Sequence, residues 1–232
     1  MEEEIKVIFL GYLAVGKTNI INAFIGIPFS NEYKQTYSNC YNVKKMEIAN
    51  KMYEIQLWDT NGEEKFKSIT KLFLKNSKII ILVYDTTKRE SFNELEYWID
   101  VVKDFVDNEY IIGIIGNKAD LFLNEQVSKA EAEQFAESKG YSLILLSVKD
   151  NPNKVKDFIR KLIIEYIETF SKTKKRESFH LYKDKNEEVK RRNNGCCGGY
   201  HIKYSFMERY KARVFPWYLP EFELEKNKEG LI

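Results

Sequence analysis

Gly11-Tyr12-Leu13-Ala14-Val15-Gly16-Lys17-Thr18 decides how the rest of the chain is read. It fits G-x-x-x-x-G-K-[ST], a glycine loop whose backbone N–H groups turn toward phosphate. Ile5 to Leu10, just before it, is an apolar run that reads as a short strand buried on both faces. Asn19 to Gly26, just after it, places apolar residues at helical spacing. Strand, glycine loop and helix start together make a phosphate site, because the helix N-terminus adds a favourable positive end. Lys17 supplies a mobile cation for the β- and γ-phosphates, and the Thr18 hydroxyl is placed to ligate Mg²⁺. The plainer alternative is a chance loop in an α/β fold, and the flanking elements argue against it.

Working outward, Tyr41 to Glu47 and Met52 to Trp58 read as two strands with a turn at Asn50-Lys51. Asp59 to Ser77 reads as a loop followed by a helix of undefined length. Ile79 to Tyr84 is a continuous buried strand, and Ser91 with Glu94 suits a capped helix start, with the helix running to about Asp107. Ile111 to Ile115 is a further strand. Ser128 with Glu131 opens a helix to about Lys139, Tyr141 to Ser147 is the last strand, and Asn153 to about Phe170 is a long amphipathic helix. Strands alternating with helices predict a doubly wound α/β domain with a mostly parallel sheet and helices on both faces. Ligands of such sheets sit beyond the carboxyl ends of the strands.

Composition sets bounds. The chain has 232 residues and a net charge of +2, so nothing global points to nucleic acid, and no nucleic-acid partner is expected. Three cysteines, two of them adjacent, argue against a secreted disulfide framework and for a reducing compartment. Met1-Glu2-Glu3-Glu4 leads straight into a strand, so no signal peptide is expected, and no apolar run is long enough to span a bilayer. A cytoplasmic location is expected.

Trp58-Asp59-Thr60-Asn61-Gly62 ends a strand on a carboxylate and then a glycine. Asp59 there can hold Mg²⁺, and Gly62 can offer its N–H to a γ-phosphate with no side chain in the way. Alone, the stretch reads equally well as an ordinary turn; beside a phosphate loop the site reading wins. Gly116-Asn117-Lys118-Ala119-Asp120 is more discriminating. Guanine offers a ring N–H and an exocyclic amine on one edge, and Asp120 can accept both, whereas adenine presents the wrong pattern. Asn117 would tie this loop to the phosphate loop, and the Lys118 stem can cover the base. Ser147-Val148-Lys149, also at a strand end, could complete the base pocket through backbone and stem contacts.

With these stretches in order, followed by Tyr84-Asp85-Thr86-Thr87-Lys88-Arg89-Glu90-Ser91-Phe92, the sequence resembles a Rab-type small GTPase of the Ras superfamily over about residues 4–170. The resemblance implies a six-stranded G domain of the P-loop NTPase class that binds GTP and GDP with Mg²⁺ and switches vesicle traffic. By motif, Thr36 matches the first-switch threonine, a Mg²⁺ ligand whose N–H would meet the γ-phosphate, and Phe29 matches the aromatic packed on guanine. With Ala14, Val15 and Gly16 lining the loop, Thr36 and Gly62 would have a partner only while the γ-phosphate is present. Effectors, an exchange factor and an activating protein would read that order-to-disorder change.

Several positions depart from the family pattern. Glu63 stands where a glutamine orients the attacking water, and brings negative charge toward the γ-phosphate. Asn61 replaces the usual alanine. Leu13 sits where a small residue is usual and crowds the space for water or an arginine finger. Tyr37 to Tyr41 replaces the usual effector stretch. Slow intrinsic turnover is therefore expected, with Lys17, Gly62 and Glu63 as the catalytic set. A nucleotide-loaded scaffold with negligible turnover is the second hypothesis, and an adenine-nucleotide kinase, disfavoured by Asp120, the third.

From Ser171 the composition changes. Lys172 to Arg176 and Lys183 to Asn194 are highly charged and read as disordered. Residues 171–197 form a basic linker ending in Cys196-Cys197, which resembles the tail whose two cysteines carry geranylgeranyl groups in the Rab family; two lipids give stable anchoring. Such lipidation needs the cysteines near the C-terminus, whereas an aromatic-rich segment, 198–232, follows here. The readings are a trimmed end, an extension that abolishes lipidation, and a misplaced gene end whose true stop follows Cys197, which the polar linker stopping at Cys-Cys favours. If lipidated, the chain would cycle to the cytosolic face of endomembranes. Cys40 reads as a packing residue.

Overall fold

A computed structural model describes residues 3–30, 40–62, 67–107 and 109–188. Thr36, Glu63, Cys196, Cys197, residues 37–39 of the departing stretch and the 198–232 segment lie outside the described residues. The chain falls into two units, Met1–Lys183 and Asp184–Ile232, and the fold below is that of the first.

The elements follow one another as β1 (Glu3–Leu10), α1 (Lys17–Ile25), β2 (Cys40–Ile48), β3 (Lys51–Asp59), α2 (Lys67–Phe73), β4 (Ile79–Asp85), α3 (Arg89–Phe105), β5 (Ile111–Asn117), α4 (Lys129–Lys139), β6 (Ser142–Leu145) and α5 (Pro152–Glu188). The sheet has six strands in the order β2-β3-β1-β4-β5-β6. Among the described residues only β2 and β3 pair antiparallel, and every other pairing is parallel. Chain direction across the sheet reverses between β1 and β4, so the loop after β1 opens at the switch point where such sheets bind ligands.

Both faces of β1, β4 and β5 are buried, which explains their continuous apolar runs, whereas the edge strand β2 is largely exposed. Val7, Phe9, Ile81 and Val83 point to one core, closed by α1 and α5 through Ile20, Phe24, Ile159 and Leu162. Ile8, Leu10, Ile80 and Leu82 point to the other, closed by α3 and α4 through Leu95, Trp98, Val102 and Ala132. Alternate residues of one strand thus serve two cores, as the two-residue period requires.

Helix α1 begins at Lys17, with Gly16 as its N-cap at φ 99°, so Lys17 and Thr18 stand in the first turn. Three expectations are corrected. The β2–β3 turn is Ala49-Asn50, one residue earlier than expected, with φ 51° and 60°; two positive values match a type I′ turn. Ser91 is no N-cap: α3 starts at Arg89 after Lys88, and the Ser91 hydroxyl donates to Lys88 O at 2.6 Å and accepts from Asp85 N at 3.0 Å. Finally, α5 continues past Phe170 to Glu188, into residues expected to be disordered. No glycine or proline interrupts 153–188, and lysines and glutamates are good helix formers. The Ser128 cap stands, accepting from Glu131 N at 3.2 Å.

Candidate functional site

The phosphate loop leaves β1 at Gly11, whose φ of 138° and close approach exclude any side chain: a Cβ there would lie 2.0 Å from Val83 O. The loop then turns through Ala14 at φ 61° into Gly16. Lys17 is 6% exposed, and its ammonium donates to Gly11 O and Tyr12 O, both at 2.8 Å. Burial pushes the Lys17 amine down to about 8, while the Asp59 and Glu94 carboxylates pull the other way. Lys17 therefore stands at the focus of the loop, held by two backbone carbonyls.

Asp59 ends β3 beside it. Thr18 Oγ1 donates to Asp59 Oδ2 at 2.6 Å. A hydroxyl and a carboxylate side by side at the edge of a phosphate loop suit a hard cation, and this donor set fits Mg²⁺. Among the described residues no group of three or more His, Cys, Asp and Glu could cage a metal. Mg²⁺ characteristically takes one or two protein oxygens and completes its shell with phosphate and water. The Thr60 hydroxyl donates to Phe9 O at 2.6 Å, tying the following residues to β1. Gly62 is pressed against the phosphate loop: a Cβ there would lie 2.5 Å from Tyr12 C, Tyr12 O and Leu13 N. Only glycine fits.

The base loop follows β5. Asn117 is 1% exposed, and its amide joins three loops. Its Nδ2 donates to Val15 O at 2.9 Å, and its Oδ1 accepts from Val148 N at 3.1 Å. The expected tie to the phosphate loop is therefore present, with the Ser147-Val148-Lys149 loop tied in by the same side chain. Ala119 N donates to Leu146 O, and Ser147 Oγ accepts from Asp150 N, which fixes that loop's shape. Lys118 takes φ 64°, a conformation rarely adopted outside glycine, and its ammonium pairs with Asp85 Oδ2 at 2.7 Å.

These loops enclose a cleft of ≈ 730 Å³ at the carboxyl ends of the strands. Leu13, Lys17, Thr18 and Gly62 line it together with Phe29, Asn117, Lys118, Asp120, Ser147 and Lys149. Ala14, Gly16, Asn61 and Val148 also reach it, whereas Val15 is buried beneath and Asp59 stands behind Thr18. Asp85 was not singled out by sequence reasoning. Its signal was there, in the quoted Tyr84-to-Phe92 stretch, but its partner becomes visible only once β4 and β5 lie side by side in register, Asp85 opposite Asn117.

The chain's likenesses agree with this geometry. The profile of the Ras family matches residues 6–187. Ras-related protein Rab-12 of Mus musculus is 33% identical over 158 residues, covering 68% of this chain and 65% of that protein, so the match spans just under two thirds of that relative. Ras-related protein RabC of Dictyostelium discoideum is 34% identical over 203 residues, covering 85% of this chain and all of the relative. Ras-related protein Rab-2B of the same organism is 36% identical over 148 residues, covering 64% and 73%. A glycine loop, a strand-end carboxylate and an Asn-Lys-x-Asp loop thus converge on one cleft of a chain that belongs to the Ras family, as a divergent small GTPase of the Rab type.

Proposed function

We propose that the chain is a molecular switch that binds GTP and GDP in this cleft, hydrolyses GTP slowly, and regulates intracellular vesicle traffic. The observation that carries the reading is the Asn117 clamp, which sets Asp120 at a fixed offset from Lys17 within one cleft of nucleotide size. Asp120 would accept from guanine, with Phe29 and the Lys118 stem against the base. Lys17 and the backbone N–H groups of Leu13 to Gly16 would hold phosphate, exchanging the ammonium's carbonyl partners for charged oxygens. Mg²⁺, held by Thr18 and Thr36 with Asp59 behind, would neutralise phosphate charge. The Gly62 N–H would meet the γ-phosphate and Glu63 would position water. GTP and GDP differ at the γ-phosphate, so Thr36 and Gly62 would gain or lose a partner at each turnover, and effectors, an exchange factor and an activating protein would read the difference.

Residues 1–170 would form the G domain, since Tyr166 is buried in its core and Ile167 and Phe170 pack against it. Residues 171–197 would be a basic linker, and 198–232 an extension. Among the described residues no helix is long and apolar enough to cross a membrane, so attachment would need lipid on Cys196 and Cys197, and only if the mature chain ends there. Intact mass of the native protein separates a lipidated, shortened chain from the full sequence.

Slow turnover is supported by Leu13, which lines the phosphate end of the cleft, and by Asn61, buried where the family carries alanine. The same two residues support a second reading, a nucleotide-loaded scaffold with negligible turnover. Nucleotide extracted from purified protein should be guanine nucleotide, and single-turnover phosphate release should be slow. A Leu13→Ser, Glu63→Gln variant should release phosphate at least tenfold faster, about 1.4 kcal/mol off the barrier. Equal rates would defeat the slow-turnover proposal, and extracted adenine nucleotide would defeat the guanine reading.

A further inference from the structure

The turn between β4 and α3, Asp85 to Lys88, carries contacts that the proposed chemistry does not use. Asp85 is buried at the end of β4, and both of its carboxylate oxygens are committed. Oδ1 accepts from Thr87 N at 2.9 Å and from Thr87 Oγ1 at 2.7 Å, which closes the turn. Oδ2 holds the Lys118 ammonium at 2.7 Å. The backbone reinforces the link, with Thr86 N donating to Asn117 O at 3.0 Å. Lys88, at the other end of the turn, sets its ammonium 4.3 Å over the Tyr12 ring, a favourable cation–π distance. Tyr12 is the residue whose carbonyl accepts from Lys17 and whose backbone abuts Gly62.

We infer that this turn is a two-armed positioning element: Asp85 sets Lys118 at the base end of the cleft, and Lys88 sets Tyr12 at the phosphate end. The inference rests on reading the cleft as a guanine-nucleotide site. Lys118 holds a left-handed backbone conformation, which persists where surrounding contacts over-determine it, and the buried Asp85 carboxylate is one of them, beside the bond from Leu121 N to Lys118 O at 2.9 Å. The two arms act on different parts of the ligand. The base is common to GDP and GTP, so the Asp85 arm affects both nucleotides by one factor. Tyr12 bears on Lys17, assigned to the β- and γ-phosphates, and on Gly62, assigned to the γ-phosphate, so the Lys88 arm weighs more on GTP than on GDP.

Dissociation of fluorescent GDP and of a fluorescent non-hydrolysable GTP analogue from the full-length protein tests both arms. Asp85→Asn should speed release of both nucleotides roughly tenfold, and should add nothing in a Lys118→Met background. Lys118→Met reaches the same contact from its more exposed side, so the base arm is read even where Asp85→Asn fails to fold. Lys88→Met and Tyr12→Leu should speed release of the GTP analogue several-fold more than release of GDP, without adding to each other, while Lys88→Arg and Tyr12→Phe keep the native rates. Additive effects within either pair, or a Lys88→Met effect equal on both nucleotides, would overturn the inference and leave the guanine reading intact. A wild-type protein that takes up no labelled GDP would overturn both.

Discussion

Asn117 is a single buried amide with two bonds, and each bond ends on a different loop. Removing it leaves Val15 O and Val148 N without their partner, and such buried groups cost on the order of 1–3 kcal/mol each. Asn117→Ala should therefore lower unfolding stability by about 2–4 kcal/mol and weaken GDP binding at least tenfold, measured by urea titration and by displacement of labelled GDP. Asn117→Asp is the sharper probe, because a carboxylate still accepts from Val148 N but cannot donate to Val15 O. It should be at least as damaging as Asn117→Ala, because its buried carboxylate faces Val15 O, and an Asn117→Ala protein with native affinity would remove the clamp from the account. At this scale the sequence was legible wherever a residue type has one use in its motif: Lys17, Thr18, Asp59, Asn117 and Asp120 all reach or border one cleft. Asp85 was not legible, because an aspartate at a strand end has many uses and its partner arrives from the neighbouring strand.

Local patterns read elements well and their ends poorly. The inner strands β1, β4 and β5 were recognisable from runs buried on both faces, and α5 from its apolar stripe, of which Val155, Phe158, Ile159, Leu162, Ile163 and Tyr166 are buried. The start of α3 was misread for a physical reason: Ser91 has the chemistry of a cap, but its hydroxyl is engaged with Asp85 and Lys88 inside the first turn. The β2–β3 turn was placed one residue late, because alanine at a left-handed position gives no signal in the sequence. That position is also improvable. Asn-Gly is the preferred pair for a type I′ turn, so Ala49→Asn with Asn50→Gly should raise stability by about 1 kcal/mol, seen as a higher urea midpoint with an unchanged slope. A lower midpoint would show that the turn is not of this type in solution.

For the molecule as a whole, the buried amines give stability a direction with pH. Burial pushes Lys6 down to about 8; its ammonium donates to Lys75 O and lies 4.3 Å over the Trp58 ring. Between about 8 and the ordinary lysine value, the unfolded chain keeps a proton that the folded chain has released, so stability rises with pH across that window. Below about 8 the cost of holding the charge is present in full. Lys6→Met should flatten the rise by an amount on the order of 1 kcal/mol between pH 8 and 10, discounted for the part of Lys6 that meets water. Urea unfolding at saturating GDP, at several pH values, checks it; parallel curves for the two proteins would refute the assignment.

The β2–β3 hairpin joins these scales. Nine consecutive pairs run from Ile48↔Lys51 at the turn to Cys40↔Asp59 beside the phosphate loop. Strand pairing transmits register without loss, so the hairpin works as a ruler whose zero mark is Ala49-Asn50 and whose last graduation is the Asp59 carboxylate. One residue added at the turn would move every mark by one and turn each side chain of β2 to the opposite face. The distal turn, remote from the cleft, thereby decides which residue of β2 stands opposite Asp59.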